Sequence, residues 1–246
     1  MIKNVYDDNL FFQEYSKIRD NVDSYNDLIE QPAMKKLLPD LDGKKVLDLG
    51  CGNGNNCVDF IRRGAKKVIG VDSSLNMLDV AMIKNSHPDI QYTKMDINEI
   101  SSINEKFDLV YSSLVFHYIK DYKILISNIR KLLKPQGILL YSQEHPNTTA
   151  PKNGCIWTKD EDGNKLYSHL SDYMYSGKRE VKWLSTNVEK YHRSISEIIN
   201  ILIDEKFSIE KIIEPVPDEY ILNKRPDMID EFHRPTSIII KAQINI

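Results

Sequence analysis

The chain has 246 residues, 41% hydrophobic and 28% charged, which fits one globular domain with an elaboration and excludes a disordered or fibrous chain. Its 33 Lys and Arg against 36 Asp and Glu leave a formal net charge of −3, so a partner held mainly through its phosphates is not expected. The first residues lack a signal-peptide pattern, no run approaches the ~18 apolar residues of a membrane span, and three cysteines without a CxxC indicate neither disulfides nor zinc; the reading is a cytoplasmic protein.

Residues 9–38 read as one or two helices, with Leu10, Phe11, Tyr15 and Ile18 on a common stripe. Strands are predicted at 45–49, 67–71, 90–93, 107–111 and 137–142, with helices near 54–64, 74–85 and 121–134 between them. That alternation is the mark of a parallel sheet covered by helices. Asp121 is the predicted cap of the third of these helices, and Pro135 and Gly137 its stop. Residues 146–193 then form a stretch too long for an ordinary connection. Because it holds both tryptophans (Trp157, Trp183) and Tyr167, Tyr173, Tyr175 and Tyr191, an ordered cap over the sheet's C-terminal edge is expected rather than disorder. Within it, Asp160, Glu161 and Asp162 run into Gly163 and read as a hairpin turn. A capping box, Ser194-Ile195-Ser196-Glu197, opens a further helix, and residues 207–213 and 236–242 supply two last strands.

The richest segment is Asp48-Leu49-Gly50-Cys51-Gly52-Asn53-Gly54, where a strand runs into a glycine-rich turn and a helix N-terminus. A dinucleotide site is the first rival, but its GxGxxG fingerprint fails from either start: Asn55 or Cys57 stands where the last glycine belongs. Asp48 puts a carboxylate beside the loop, unwelcome to a pyrophosphate and suited to an ammonium or sulfonium. The second strand ends in Asp72, placed to take both hydroxyls of a ribose, and the third is followed by Asp96-Ile97, where an adenine amino group could be held.

This set resembles the class I S-adenosylmethionine-dependent methyltransferases. Residues 48–54 stand where that family carries its D-x-G-x-G-x-G loop, Asp72 at its ribose acid and Asp96-Ile97 at its adenine site. Phe107-Asp108-Leu109-Val110 and Leu132-Leu133-Lys134-Pro135-Gln136-Gly137-Ile138 match its fourth strand and the helix–turn–strand that follows. Within the family the chain looks most like the small-molecule methyltransferases of ubiquinone and menaquinone biosynthesis, and it also resembles bacterial relatives with Glu144-His145-Pro146 and Tyr191-His192-Arg193 at the corresponding places.

The resemblance implies an α/β, Rossmann-like doubly wound sheet of seven strands with the last inserted antiparallel, helices on both faces and an inserted cap. It also implies one domain made of a helical cover (1–40), a cofactor-binding core (41–145), a substrate cap (146–193) and a final helix with strands (194–246). S-adenosylmethionine would be the cofactor and S-adenosylhomocysteine the product. The implied cofactor residues are Tyr15, Arg19, Asp48, Gly50, Cys51, Gly52, Asn53, Gly54, Asp72, Ser73, Met77, Asp96, Ile97, Ser112 and His117.

A methyl on a cationic sulfur leaves by in-line displacement, so the protein mainly aligns donor and acceptor and excludes water; a base is needed only for an acceptor that stays protonated. His145 and His192 are the predicted substrate-facing residues, since each falls where cap meets sheet edge and histidine titrates near neutrality. No metal site is expected from the spacing of Cys, His and carboxylates. The expected function is methyl transfer to a small-molecule acceptor by a monomer or homodimer without nucleic-acid or membrane partners. An RNA or protein methyltransferase of the same fold, and a protein that binds the cofactor without transferring it, are the alternatives. Neither a basic appendage nor an Asn-Pro-Pro-Tyr-type motif accompanies Ser112-Ser113-Leu114-Val115 to favour the first.

Overall fold

The computed structural model describes residues 5–19 and 23–244, apart from the side chain of Arg19. Five strands, β1 (Lys45–Leu49), β2 (Lys67–Asp72), β3 (Ile90–Lys94), β4 (Phe107–Ser112) and β5 (Leu133–Glu144), run parallel in the order β5-β4-β1-β2-β3. Beyond β5 lie β11 (Ser237–Ile244), antiparallel to both its neighbours, and then β10 (Phe207–Ile213) at the edge. The sheet therefore reads β10-β11-β5-β4-β1-β2-β3, with the last strand inserted antiparallel as expected.

Successive side chains along each strand point to opposite faces, and both faces are buried. Val46, Val68, Leu140 and Ile239 pack on one side with Met34, Phe60 and Leu78 from the helices α2 (Gln31–Leu37), α3 (Asn55–Arg62) and α4 (Leu75–Lys84). Their neighbours Leu47, Ile69, Leu139 and Ile240 pack on the other with Leu125, Ile129, Ile198 and Leu202 from α5 (Tyr122–Leu132) and α7 (Ile195–Asp204). This two-sided demand is why the strands are near-continuous apolar runs rather than alternating ones.

Several local expectations are modified. Helix α5 ends at Leu132, and β5 begins at once with Leu133 paired to Phe107, four residues before the predicted start. Pro135 cannot continue a helix and biases Lys134 towards extended backbone, which explains the early strand. Asp121 stands at the N-cap of α5 but makes no side-chain cap bond; only its carbonyl accepts, from Leu125 N–H at 3.0 Å. On α1 (Asn9–Arg19) only part of the expected stripe faces inward: Phe11 is buried, while Leu10 and Ile18 are exposed. A π-helical turn, Asn26–Glu30, leads into α2.

The segment 146–193 is ordered. It starts with a single turn α6 (Pro146–Thr149) and continues as two hairpins, β6 (Trp157–Lys159) with β7 (Lys165–Ser168) and β8 (Gly177–Trp183) with β9 (Thr186–His192). Asp160 closes the first hairpin by accepting from the Asn164 amide at 2.8 Å and its side-chain nitrogen at 2.9 Å, the turn role expected of it. Ser194 accepts from Glu197 N–H at 3.2 Å and caps α7, while the Glu197 carboxylate takes the Ser176 hydroxyl. The tip of the second hairpin reaches α1: Ser185 N–H donates to Glu14 at 3.1 Å, and Trp183 sits among Tyr6, Phe11 and Tyr15 with ring centroids 5.4–6.4 Å away. No helix among the described residues is long and apolar enough to cross a membrane.

Candidate active site

Strand β1 delivers the glycine loop to the C-terminal edge of the sheet. Gly50, Gly52 and Gly54 all have positive φ (72°, 54° and 80°), and a Cβ on Gly50 would lie 2.4 Å from Val115 Cγ2. The loop is tied to β2 through Gly50 N–H and Cys51 N–H, which both donate to the Val71 carbonyl at 2.8 and 3.0 Å. The next residue of β2 is Asp72. Its carboxylate accepts from Gly52 N–H and Ser74 N–H, each at 2.9 Å, so it bridges the loop and the start of α4. Burial lifts the Asp72 carboxyl above its ordinary range while those amides pull it down. Ser74 caps α4 by accepting from Met77 N–H at 3.3 Å, and Met77 itself lies against Gly52. Ser73, between them, is exposed.

At the end of β3, Asp96 caps the 3-10 turn Ile97–Ser102, accepting from Asn98 N–H at 2.9 Å. Asp96 is exposed and Ile97 half-buried, side by side on the edge next to β2. The Asn53 carbonyl accepts from Asn85 at 2.7 Å and fixes the far side of the loop to the end of α4. A loop without side chains at its bends, a carboxylate at the end of β2 and an acid with a helix start at the end of β3 together fit a ribonucleoside lying across three strand ends.

Asp48 is a different matter. It is buried beneath the loop, where the Cys57 thiol donates to it at 3.4 Å, and Cys51 lies beside Cys57. Burial pushes the Asp48 carboxyl up to about 7, against the lowering effect of the thiol bond. Asp48 does stand beside the loop, as the sequence suggests, and its buried carboxyl forms part of the loop's foundation. Ser112 is also turned inward, donating to the Leu49 carbonyl at 2.8 Å and tying β4 to β1.

The two histidines expected to face substrate have both ring nitrogens engaged within the chain. His145 Nδ1 accepts from Asn147 N–H at 3.0 Å and caps α6, and its Nε2 bonds Glu214 at 2.7 Å. His192 uses both nitrogens as well, Nδ1 with the Thr149 hydroxyl and Nε2 with the Tyr173 carbonyl, each at 2.8 Å. Burial lowers both pKa values, so each ring is a neutral structural bracket with no nitrogen left to serve as a base. Both lie where cap meets sheet edge; the sequence could place them there but could not show what they bond.

The histidine that does remain open is His117, buried after β4. Its Nδ1 accepts from Glu144 N–H at 3.2 Å, and its Nε2 has no hydrogen-bond partner among the described residues. Burial drives its pKa down to about 4. Around it stand side chains that no motif singled out. Tyr118 bonds Tyr6, and Tyr6 lies within the field of Asp72. Tyr15 packs against Tyr6 and Trp183, with ring centroids at 4.9 and 5.8 Å. Arg19 ends α1, its side chain outside the described residues. A buried carboxylate, Glu30, also reaches the edge, accepting from Ser113 at 2.9 Å and from Ser142. No short sequence pattern marks Glu30, because it acts through residues more than eighty positions away.

A methyltransferase-domain family model matches residues 46–137. The chain is 40% identical over 250 residues to an uncharacterized protein of Haemophilus influenzae, covering 97% of this chain and 96% of that one. It is 36% identical over 99 residues to a ubiquinone biosynthesis O-methyltransferase of Bartonella bacilliformis, a match that spans 39% of this chain and 40% of the relative. Among solved structures, a putative S-adenosylmethionine dependent methyltransferase from Listeria monocytogenes superimposes with a TM-score of 0.80 at 36% identity, over 88% of this chain and 98% of its own.

Proposed function

The chain belongs to the class I S-adenosylmethionine-dependent methyltransferases, and from that membership we propose that it transfers a methyl group to a small-molecule acceptor. S-adenosylmethionine is its cofactor and supplies a methyl group already activated on a cationic sulfur. The observation that carries the assignment of the site is the Asp72 carboxylate, joined at once to the Gly52 and Ser74 amides at the mouth of the glycine loop. On this reading Asp72 holds the ribose hydroxyls, Asp96 and the Ile97 N–H hold adenine, and residues 50–54 face the methionine part. Tyr15, Arg19, Ser73, Met77, Ser112 and His117 surround it, the serine at 112 through its backbone because its hydroxyl is taken.

The protein's own task is then alignment and exclusion of water. Support for a small acceptor comes from the contact of Trp183 with Tyr6, Phe11 and Tyr15, by which the N-terminal helix and a cap hairpin meet beside the site. The near-balanced charge of the chain argues in the same direction, since RNA would call for a basic face. We read the enzyme as cytoplasmic, acting as a monomer or homodimer.

Incubating the protein with S-adenosylmethionine labelled in its methyl group and a cell extract tests the acceptor class. Label that depends on the added protein should appear in a low-molecular-weight product separable from the cofactor by chromatography; label transferred only to retained RNA or protein would overturn the proposal.

A further inference from the structure

Four charged or polar side chains from separate parts of the chain gather at the ends of β4 and β5. Glu144 closes β5 and is half-buried. Burial alone would raise its carboxyl, but the cations beside it, Lys190 and Arg234 among them, hold it below its ordinary range, so it is an anion. Lys190 comes in from β9 and forms an ion pair with it, its ammonium facing the rings of Trp183 at 5.7 Å and Tyr118 at 6.0 Å. An ammonium has three donors, and Glu144 takes one.

The remaining two members are under-satisfied. His117 is 3% exposed, and because its Nδ1 accepts a backbone proton, the neutral ring carries its own proton on Nε2. That Nε2 lies 3.8 Å from Glu144 Oε1, too far to bond, and is unpartnered among the described residues. Arg234 precedes β11, stacks on Trp157 with 5.0 Å from guanidinium to ring, and has both Nε and Nη1 buried without a partner among the described residues. Buried guanidinium and imidazole donors are rarely left unbonded in a native structure.

Lys190 and Arg234 share Glu144, and Arg234 also lies in the field of Glu231, whose two oxygens accept the Thr236 amide at 2.7 Å and its hydroxyl at 2.6 Å, so neither carboxylate bonds Arg234 Nε or Nη1. Arg193, the other cation near His117, is occupied by the carbonyls of Ile119 and Lys120. What this arrangement lacks is an acceptor-rich anion, and the rings of Tyr118, Trp157 and Trp183 offer it flat apolar walls. A guanidinium pairs with a carboxylate through directed donors, where an ammonium is a point charge.

We infer that Lys190, Arg234 and the His117 Nε2–H form the acceptor subsite, and that it takes an oxyanion, carboxylate or phenolate, carried on an aromatic ring. This rests on the methyltransferase reading above and names the acceptor class for the same site. The subsite is joined to the cofactor side, since Tyr118 bonds Tyr6 and Tyr6 lies within the field of Asp72. An amine acceptor is disfavoured because the groups left open, the His117 Nε2–H and the Arg234 Nε and Nη1, are all hydrogen-bond donors.

The test is equilibrium binding of four probes to the full chain saturated with S-adenosylhomocysteine. They are 4-nitrobenzoate and 4-nitrophenol at mildly alkaline pH, and their neutral counterparts methyl 4-nitrobenzoate and 4-nitroanisole. At least one anion should bind about tenfold or more tightly than its methylated form, and which anion does so tells carboxylate from phenolate. Arg234→Met should remove that preference while leaving S-adenosylhomocysteine affinity unchanged, and the charge-neutral double variant Glu144→Gln/Lys190→Met should do the same if the single variant fails to fold. Anions that bind no better than their neutral forms, or do not bind at all, would overturn the inference, as would a preference that survives both variants. Failure of S-adenosylhomocysteine to bind the unmodified chain would instead strike at the cofactor reading.

Discussion

The Asp72 carboxylate accepts the Gly52 amide at 2.9 Å, joining the end of the second strand to the bend that follows the first. The two partners stand twenty positions apart in the sequence, with all of α3 between them, and the bond holds them at one edge. The chemistry at this edge thus depends on the bend keeping its shape, and the first prediction concerns that bend.

Replacing Gly50 by Ala should destabilise the fold by about 2–4 kcal/mol, the sum of a positive-φ cost of ~1–2 kcal/mol and overpacking against Val115. Gly43→Ala shares the positive φ but has nothing within 4 Å of the added carbon, so it should lose only the smaller part. Urea unfolding of the two variants measures the difference; equal losses would mean that Val115 yields freely.

Stability should carry a signature of Asp48. Its carboxyl is lifted to about 7 by burial, above its value in the unfolded chain. A group whose pKa rises on folding stabilises the fold fully at low pH, and that contribution is lost as pH rises through the folded value. The unmodified chain should therefore lose a few kcal/mol more than Asp48→Asn between about pH 5 and about pH 8. Denaturant midpoints across that range check this, and parallel curves would show that Asp48 is not desolvated as described.

His145→Asn should cost about 1 kcal/mol or less of stability, because Asn can still cap α6 but cannot reach Glu214, and it should leave turnover of any acceptor within about twofold. Initial rates alongside thermal melts separate the two effects. A collapse in rate at unchanged stability would return His145 to the chemistry.

Trp183→Ala should loosen the contact between α1 and the β8–β9 hairpin, removing about 3 kcal/mol or more of packing among Tyr6, Phe11 and Tyr15. Amide exchange in α1 and in the hairpin should speed up together, whereas exchange confined to the hairpin would show that the two segments are independent.

The strand positions and the glycine loop were legible because their signals are local: a glycine bend after an apolar strand, an acid at the end of the next, a proline after a helix; the antiparallel insertion of the last strand came only with the family resemblance. Even there the sequence could say that Asp48 lies beside the bend but not that Cys57 and burial occupy it from below. The histidines show the same limit. His145, His192 and His117 all fall at strand ends, and only the hydrogen bonds made by each ring separate the two fully engaged ones from the one with an open nitrogen. Glu30, Trp183, Lys190 and Arg234 join through contacts spanning from tens of residues to well over half of the chain, so no window of sequence reveals them. Asp121 carries the residue type of a cap, but its backbone, at φ −100° and ψ 68°, is not the extended geometry that aims a capping side chain.

The most direct measurement is titration calorimetry of S-adenosylhomocysteine into the unmodified chain and Asp72→Asn, a substitution that keeps the shape and removes the charge. Loss of charge-assisted bonds to two ribose hydroxyls should weaken binding by about 10- to 100-fold, with the unfolding midpoint lowered as well, because Asn can accept through only one atom where Asp72 takes both the Gly52 and the Ser74 amide. Equal affinities in the two proteins, or heat from NADH in place of the adenosyl ligand, would contradict the placement of the cofactor on which the whole account stands.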